Sequence, residues 1–254
     1  MGSARLRRDR HPRAARGGAD VLRPRAALER LPGDPAHPDV RLVLLRHGRT
    51  EWNDTGRAQG HADVPLDDVG LAQAKEVAPV LAALRPVTIW SSDLARAAQT
   101  ADAVAAECGL EPVRDPRLRE FDIGPNRAGL TSEEYAAAHP EEYAALLAGE
   151  FEAIPGRETR DDVLARFVPA LTSYVDTLAD GETGLVVSHG AALRVAVPAF
   201  LGWSGDPAES LGVLANCGWV VLEHSASTWT GGVERWRLIA WNRLASPATD
   251  PDFT

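Results

Sequence analysis

Lysine is nearly missing from this chain: Lys75 stands alone among 27 basic residues, and the other cations are arginines. A GC-rich genome produces that bias, so it carries no functional information. Cysteine is equally scarce. Cys108 and Cys217 lie far apart and form no CxxC pair, which argues against a structural disulfide and reads as two reduced thiols in a cytoplasmic protein. No apolar run reaches the roughly 18 residues that a membrane-spanning helix needs, and the apolar segment of a secretion signal is absent. Neither a GxSxG elbow nor a P-loop occurs, so serine hydrolase and nucleotide-dependent kinase chemistry fall away. Clustered basic charge is missing from the body of the chain. Residues 1–40 hold nine arginines against five acids, a balance of +4, so the total of −9 leaves −13 on the remainder. An acidic body argues against a nucleic-acid binder. Any anion site within it must be a local basic pocket set in a repelling field.

What is present suits one domain of α/β size. Residues 1–40 show neither helical nor strand periodicity and read as a disordered, arginine-rich tail. The folded domain is expected over residues 41–245, with a loose tail at 246–254. The runs Leu42-Val43-Leu44-Leu45, Val87-Thr88-Ile89-Trp90 and Leu185-Val186-Val187 are short and continuously apolar, as strands buried on both faces are. Trp219–Leu222 and Trp236–Ile239 look like two further strands. Between them, Ala74, Val77, Ala78, Leu81 and Leu84 share a helical face with Asp67 as N-cap. Val163, Phe167, Leu171, Tyr174 and Leu178 make another stripe. Thr131-Ser132-Glu133-Glu134 is a capping box that predicts a helix through Leu147. Pro79 and Pro169 fall inside two of these helices and are expected to kink them. Strands alternating with helices imply a layered α/β fold around a mostly parallel sheet.

Three of the strands run into polar residues: Arg46-His47-Gly48, Ser91-Ser92-Asp93 with Arg96 a turn further on, and Ser188-His189-Gly190. Ligands bind beyond the carboxyl ends of strands in open α/β sheets, so two histidines and two arginines should converge there. Glycine after each histidine admits a ligand or a sharp turn. Such a cluster suits a phosphoryl group, whose transfer requires positioning and charge cancellation. Arginine supplies permanent bidentate donors, and a neutral imidazole can attack phosphorus and leave again. The second histidine, if protonated, adds a donor. A leaving oxygen needs a proton, and Glu120 in Leu118-Arg119-Glu120 is the candidate acid. His61 and Asp63 lie near His47 in sequence, but no i, i+4 ligand pair or carboxylate cluster completes a metal site, so no metal and no cofactor are expected. His11, His37, His61, His139 and His224 are assigned to surface or loop roles.

The run Leu45-Arg46-His47-Gly48-Arg49-Thr50-Glu51-Trp52-Asn53 resembles the signature of the histidine phosphatase superfamily, whose members include cofactor-dependent phosphoglycerate mutases. The resemblance continues in order through Gln59-Gly60, Pro65-Leu66, Gly70, Ser91–Ala97, Leu118-Arg119-Glu120 and Ser188-His189-Gly190, and spans residues 42 to about 222. It implies a three-layer α/β/α sandwich of the phosphoglycerate mutase-like type. It also implies His47 as phosphate acceptor, Arg46, Arg96 and His189 as the phosphate pocket, Glu120 as proton donor and acceptor, and Asn53, Gln59 and Gly60 as substrate contacts.

Two segments depart from the family pattern. Gly-x-Trp-x-Gly-Leu-Thr is usual where this chain has Gly124-Pro125-Asn126-Arg127-Ala128-Gly129-Leu130-Thr131, and Gly-Gly-Glu-Ser is usual where it has Gly156-Arg157-Glu158-Thr159. Arg127 and Arg157 could therefore add contacts to an anionic substrate.

Hydrolysis of a small phosphorylated metabolite is the leading expectation. A mutase of this family carries a longer insertion before the second histidine, whereas 68 residues separate Glu120 from His189 here. A pseudo-enzyme that binds phosphorylated ligands has only the altered segment after Gly124 in its favour. The stretch Asn216-Cys217-Gly218-Trp219, with Arg235–Asn242, resembles the end of actinobacterial glucosyl-3-phosphoglycerate phosphatases; broad phosphomonoesterase activity is the competing expectation. Seven tryptophans, four of them between Trp203 and Trp236, would serve either a homodimer face or the core beneath the last strands, and the core is preferred.

Overall fold

The apolar run that follows Arg41 becomes the centre of strand β1 (Val40–Arg46) in the computed structural model, which describes residues 40–205, 207–227 and 233–245. Val40, the last residue of the expected tail 1–40, belongs to β1; residues 1–39 and the expected tail 246–254 lie outside the described residues. The other two short runs form β2 (Pro86–Ser91) and β4 (Thr183–Ser188), with the two-residue β3 (Val113–Arg114) between them in sequence. The last strands are longer than expected: β5 is Trp219–Ser227 and β6 is Val233–Arg243. All six make one sheet in the order β3-β2-β4-β1-β5-β6. The first four are mutually parallel, β5 runs antiparallel to β1, and β6 antiparallel to β5.

Alternation along β1 shows why the fold has three layers. Leu42 and Leu44 point to one face, where they meet Phe167 and Leu171 of α6 (Arg160–Val175) and Leu193 and Val197 of α7 (Gly190–Phe200). Val43 and Leu45 point to the other, against Val77 and Leu81 of α2 (Asp68–Ala82) and Ala101 and Val104 of α3 (Ala95–Cys108). A strand covered on both faces has no polar side, which is why it reads as an unbroken apolar run. Truncating any one of its leucines to alanine should cost about 2–5 kcal/mol.

Asp67 caps α2 as expected, accepting from the Gly70 N–H at 2.7 Å. Pro79 and Pro169 lie inside α2 and α6, and each helix runs through its proline as one element. The helix expected from Thr131 to Leu147 is in fact two. The capping box forms at Thr131 and Glu134, but α4 (Ser132–Ala138) stops at His139, and α5 (Pro140–Ala148) begins with a proline at its first position. Proline disfavours helical backbone in the residue before it, and His139 accordingly sits at φ −136° and ψ 63°. The short helix α1 (Glu51–Asp54) follows β1 closely and is capped by Thr50 and Asn53.

Trp219 is buried in the core, and Trp236 and Trp241 pack half-buried against it, whereas Trp203 is exposed. Trp229 lies outside the described residues.

Candidate active site

Because β2, β4 and β1 are adjacent and parallel, their carboxyl ends open on one edge of the sheet. The chain stays in register past the strand ends: the His47 N–H donates to the Ser188 carbonyl at 3.0 Å and the Ser92 N–H to the Val187 carbonyl at 2.9 Å. This brings the His47 and His189 rings to a centroid separation of 5.2 Å at an interplanar angle of 60°. Arg46, His47, Asn53, Gln59, Gly60, Arg96 and Glu120 line a single cavity of about 720 Å³. His189 is not on its wall; it lies fully buried beside His47.

The His47 tautomer follows from its neighbour. Nδ1 lies 2.7 Å from the Gly48 carbonyl oxygen, which can only accept, so Nδ1 carries the proton and Nε2 holds the lone pair. Burial, reinforced by Arg46 and Arg96, holds the imidazole well below its ordinary pKa, so it is neutral at pH 7. His189 is neutral for the same first reason, with Arg96 the next contributor. The condition under which His189 would add a charged donor is thus disfavoured by its burial and by the neighbouring Arg96. Ser92 Oγ accepts from the Leu94 N–H at 3.3 Å and lies 2.9 Å from His189 Nε2. Its hydroxyl proton can bond Nε2, and in that arrangement the ring proton is on Nδ1, which is buried with no hydrogen-bond partner among the described residues. That tautomer would set a neutral N–H donor beside His47.

The two arginines are gripped by main-chain oxygens. Arg96 donates from Nη1 to Ala62 and from Nη2 to Gly60, both at 2.8 Å, while Arg46 donates from Nη1 to Leu214. The Nε atoms of both are buried, with no hydrogen-bond partner among the described residues. Burial lowers the Arg46 guanidinium and brings Arg96 down to about 10, although Glu120 partly offsets each. Arg96 is the second residue of α3, nearer the strand end than a full turn. Gly190 lets α7 start close to Arg46: a Cβ on it would stand a tight 3.2 Å from Arg46 Nε. Gly48 is required by close packing, since a Cβ would sit 2.6 Å from the Gly70 carbonyl oxygen, a backbone atom.

Glu120 has two attachments. Its carboxylate accepts from the N–H groups of Ala191 (3.0 Å) and Ala192 (2.8 Å) in the first turn of α7, and from that of Phe121 (3.0 Å). Its carbonyl accepts from Arg166 Nη2 and from His61 Nε2, each at 2.8 Å. His61, expected in a surface or loop role, lies in a loop, half-buried under the acid's main chain, where it satisfies a carbonyl that has no ladder partner. Arg166 also holds the Arg117 and Arg119 carbonyls. Asn53 lines the cavity while its Oδ1 accepts from Thr50, and Asn216 donates to the His47 carbonyl at 3.1 Å. Gln59 offers a buried Oε1 with no hydrogen-bond partner among the described residues. Ser92, Arg166 and Asn216 were given no role from sequence; the contacts that tie them to His189, to the 117–120 loop and to His47 span 97, 46 to 49 and 169 positions.

Among the described residues no group of three or more His, Cys, Asp or Glu side chains could hold a metal ion, and no helix is long and apolar enough to cross a membrane.

The neutral histidines make stability depend on pH. Unfolding returns both toward 6.5, so the unfolded chain binds more protons below that value. Their contribution is complete above pH 6.5 and is lost as pH falls toward the depressed native values. Asp93 and Glu158 are also lowered, but from 3.8 and 4.5, so they act at more acidic pH. Urea midpoints should therefore drop between about pH 7 and pH 5, and less steeply for His189→Gln. A midpoint flat across that window would show that the imidazoles bind protons in the fold as readily as in the unfolded chain.

Residues 42–237 match the histidine phosphatase superfamily (branch 1). A glucosyl-3-phosphoglycerate phosphatase of Mycolicibacterium vanbaalenii is 38% identical over 220 residues, covering 83% of this chain and 97% of that protein. A probable phosphoglycerate mutase of Proteus mirabilis is 35% identical over 194 residues, covering 75% and 87%. A solved mycobacterial glucosyl-3-phosphoglycerate phosphatase in complex with VO3 superposes with a TM-score of 0.68 at 35% identity, covering 80% of this chain and 98% of that one.

Proposed function

Because the chain belongs to the histidine phosphatase superfamily, we propose that this phosphatase works without a metal, through a phosphohistidine at His47, on a small phosphorylated metabolite. The observation that carries the reading is the neutral His47 beside His189, with Arg46, Arg96 and Glu120 around it. His47 Nε2 attacks phosphorus and the ester P–O bond breaks. The leaving oxygen takes a proton from the Glu120 carboxylic acid. Water then attacks the phosphohistidine, gives a proton back to Glu120 and releases inorganic phosphate as the N–P bond breaks. Arg46, Arg96 and His189 Nδ1 hold the equatorial oxygens through both steps. Asn53, Gln59 and Gly60 contact the substrate.

Glucosyl-3-phosphoglycerate is the substrate we favour. The relatives that bear its name support this, as does a cavity of about 720 Å³ walled with arginines. Hydrolysis is favoured over mutase chemistry by the 68 residues between Glu120 and His189. The free thiols suit a cytoplasmic enzyme; no nucleic acid or membrane partner enters the reading, and a homodimer is compatible with it.

Phosphate release from glucosyl-3-phosphoglycerate and p-nitrophenyl phosphate should proceed unchanged in EDTA. Quenched turnover of a radiolabelled ester should trap an acid-labile label on the protein. Loss of activity in EDTA, or stimulation of mutase activity by 2,3-bisphosphoglycerate, would sink the corresponding part of the reading.

A further inference from the structure

The two segments that depart from the family pattern meet on the cavity wall. Ile123 and Arg157 form an antiparallel bridge. The Glu158 N–H donates to the Asp122 carbonyl at 2.9 Å, and the Asp122 N–H to Glu158 Oε2 at 2.8 Å. Gly124, at φ +80°, passes so close to the second segment that a Cβ would lie 2.5 Å from the Pro155 carbonyl oxygen. The added Pro-Asn-Arg turn is also fastened from its outer side. Asn126 Nδ2 donates to Glu142 Oε1 at 2.7 Å, and the Tyr135 hydroxyl donates to the other oxygen at 2.8 Å. These ties bring Arg127 and Arg157 to the same wall of the cavity.

Their surroundings are unusual for arginines. Arg127 lies over the Tyr135 ring at 5.7 Å and Arg157 over the Phe151 ring at 4.6 Å. Neither has an ion-pair partner among the described residues. Nε and Nη1 of Arg157 are buried, with no hydrogen-bond partner among those residues. Burial lowers both guanidinium groups, and Arg127 lowers Arg157 further by repulsion. Arg57, on the same cavity, is by contrast neutralised by Glu134 at 2.6 Å. Two half-buried, mutually repelling cations without a counter-ion are costly unless an anion joins them.

We propose that Arg127 and Arg157 form a second anion site, which selects substrates carrying a carboxylate or a second phosphate besides the ester that is cleaved. This rests on the phosphatase reading above and deepens it: the ester phosphate sits at Arg46 and Arg96, and the second anion at the Arg127–Arg157 wall. Guanidinium groups held flat over aromatic rings keep their N–H edges for a planar carboxylate or a phosphate oxygen pair.

Matched ligands test this, because each pair differs in the second anion. One pair is 3-phosphoglycerate and glycerol 3-phosphate; the other is fructose 1,6-bisphosphate and fructose 6-phosphate. Dissociation constants would be measured by calorimetry in a His47→Ala background, where no turnover interferes, and kcat/KM ratios in the wild-type background. The anionic member of at least one pair should be preferred about ten- to a hundredfold. Which pair shows the preference tells carboxylate from phosphate. Arg127→Gln and Arg157→Gln should each shrink that ratio, and the double variant should bring it near unity. The partner lacking the second anion controls for misfolding, since a folding defect lowers both members alike. Equal binding of both members in both pairs by His47→Ala protein, or a ratio that survives the double substitution, overturns the second site. If the binding ratio behaves as expected while no phosphomonoester is turned over, the second site stands and the phosphatase reading falls.

Discussion

His47→Ala is expected to lower phosphate release by about a thousandfold or more, equivalent to roughly 4 kcal/mol of transition-state stabilisation. The expectation follows from the division of labour at the strand ends. Arg46 and Arg96 are fixed by the carbonyls of Leu214, Ala62 and Gly60 and do not lean on the imidazole. Removing the ring should therefore leave the phosphate pocket standing and delete only the covalent acceptor, so that water must attack the ester directly. Binding of inorganic phosphate should persist in the variant, measured by calorimetry. The acid-labile phosphoenzyme should vanish. The variant should also lose less stability than wild type between about pH 7 and pH 5, since one buried neutral imidazole is gone. Retained turnover would mean that another group accepts the phosphoryl; loss of phosphate binding together with turnover would mean that the ring organises the pocket.

How much of this was legible before the structure depends on how far apart the partners lie. The three apolar runs and the polar residues after them are local, and β1, β2 and β4 form where those runs are. Their adjacency follows from layered α/β packing, so the meeting of His47, His189, Arg46 and Arg96 was legible too. The helix break at His139 was present in the sequence as a proline at 140; the capping box at Thr131 marks only where a helix starts. The anchoring of Glu120 was not legible. It depends on N–H groups 71 and 72 positions later in α7 and on Arg166 46 positions later. The convergence of Arg127 and Arg157 was likewise hidden, because it requires the bridge between Ile123 and Arg157. The sequence marked both segments as departures from a pattern without revealing that they are one wall.

Glu120→Gln should reveal what kind of acid this is by its dependence on the leaving group. An alkyl ester, such as a glycerate or sugar phosphate, expels a strongly basic oxygen, so loss of the proton donor should lower its turnover by about a hundred- to ten-thousandfold. p-Nitrophenolate needs no proton to leave. With p-nitrophenyl phosphate the first step should proceed in the variant, while the second, in which Glu120 would take a proton from water, becomes slow. Rapid mixing should then show a burst of p-nitrophenol close to one equivalent per active site, which wild type lacks or shows weakly. The same carboxylate accepts from the Ala191 and Ala192 N–H groups at the start of α7, and a cap of this kind contributes about 0.5–2 kcal/mol to stability. Glutamine keeps one amide oxygen for those donors, so the fold should lose at most a part of that. If aryl and alkyl esters slow by the same factor and no burst appears, Glu120 acts on α7 alone and the proton must come from another group on the cavity wall.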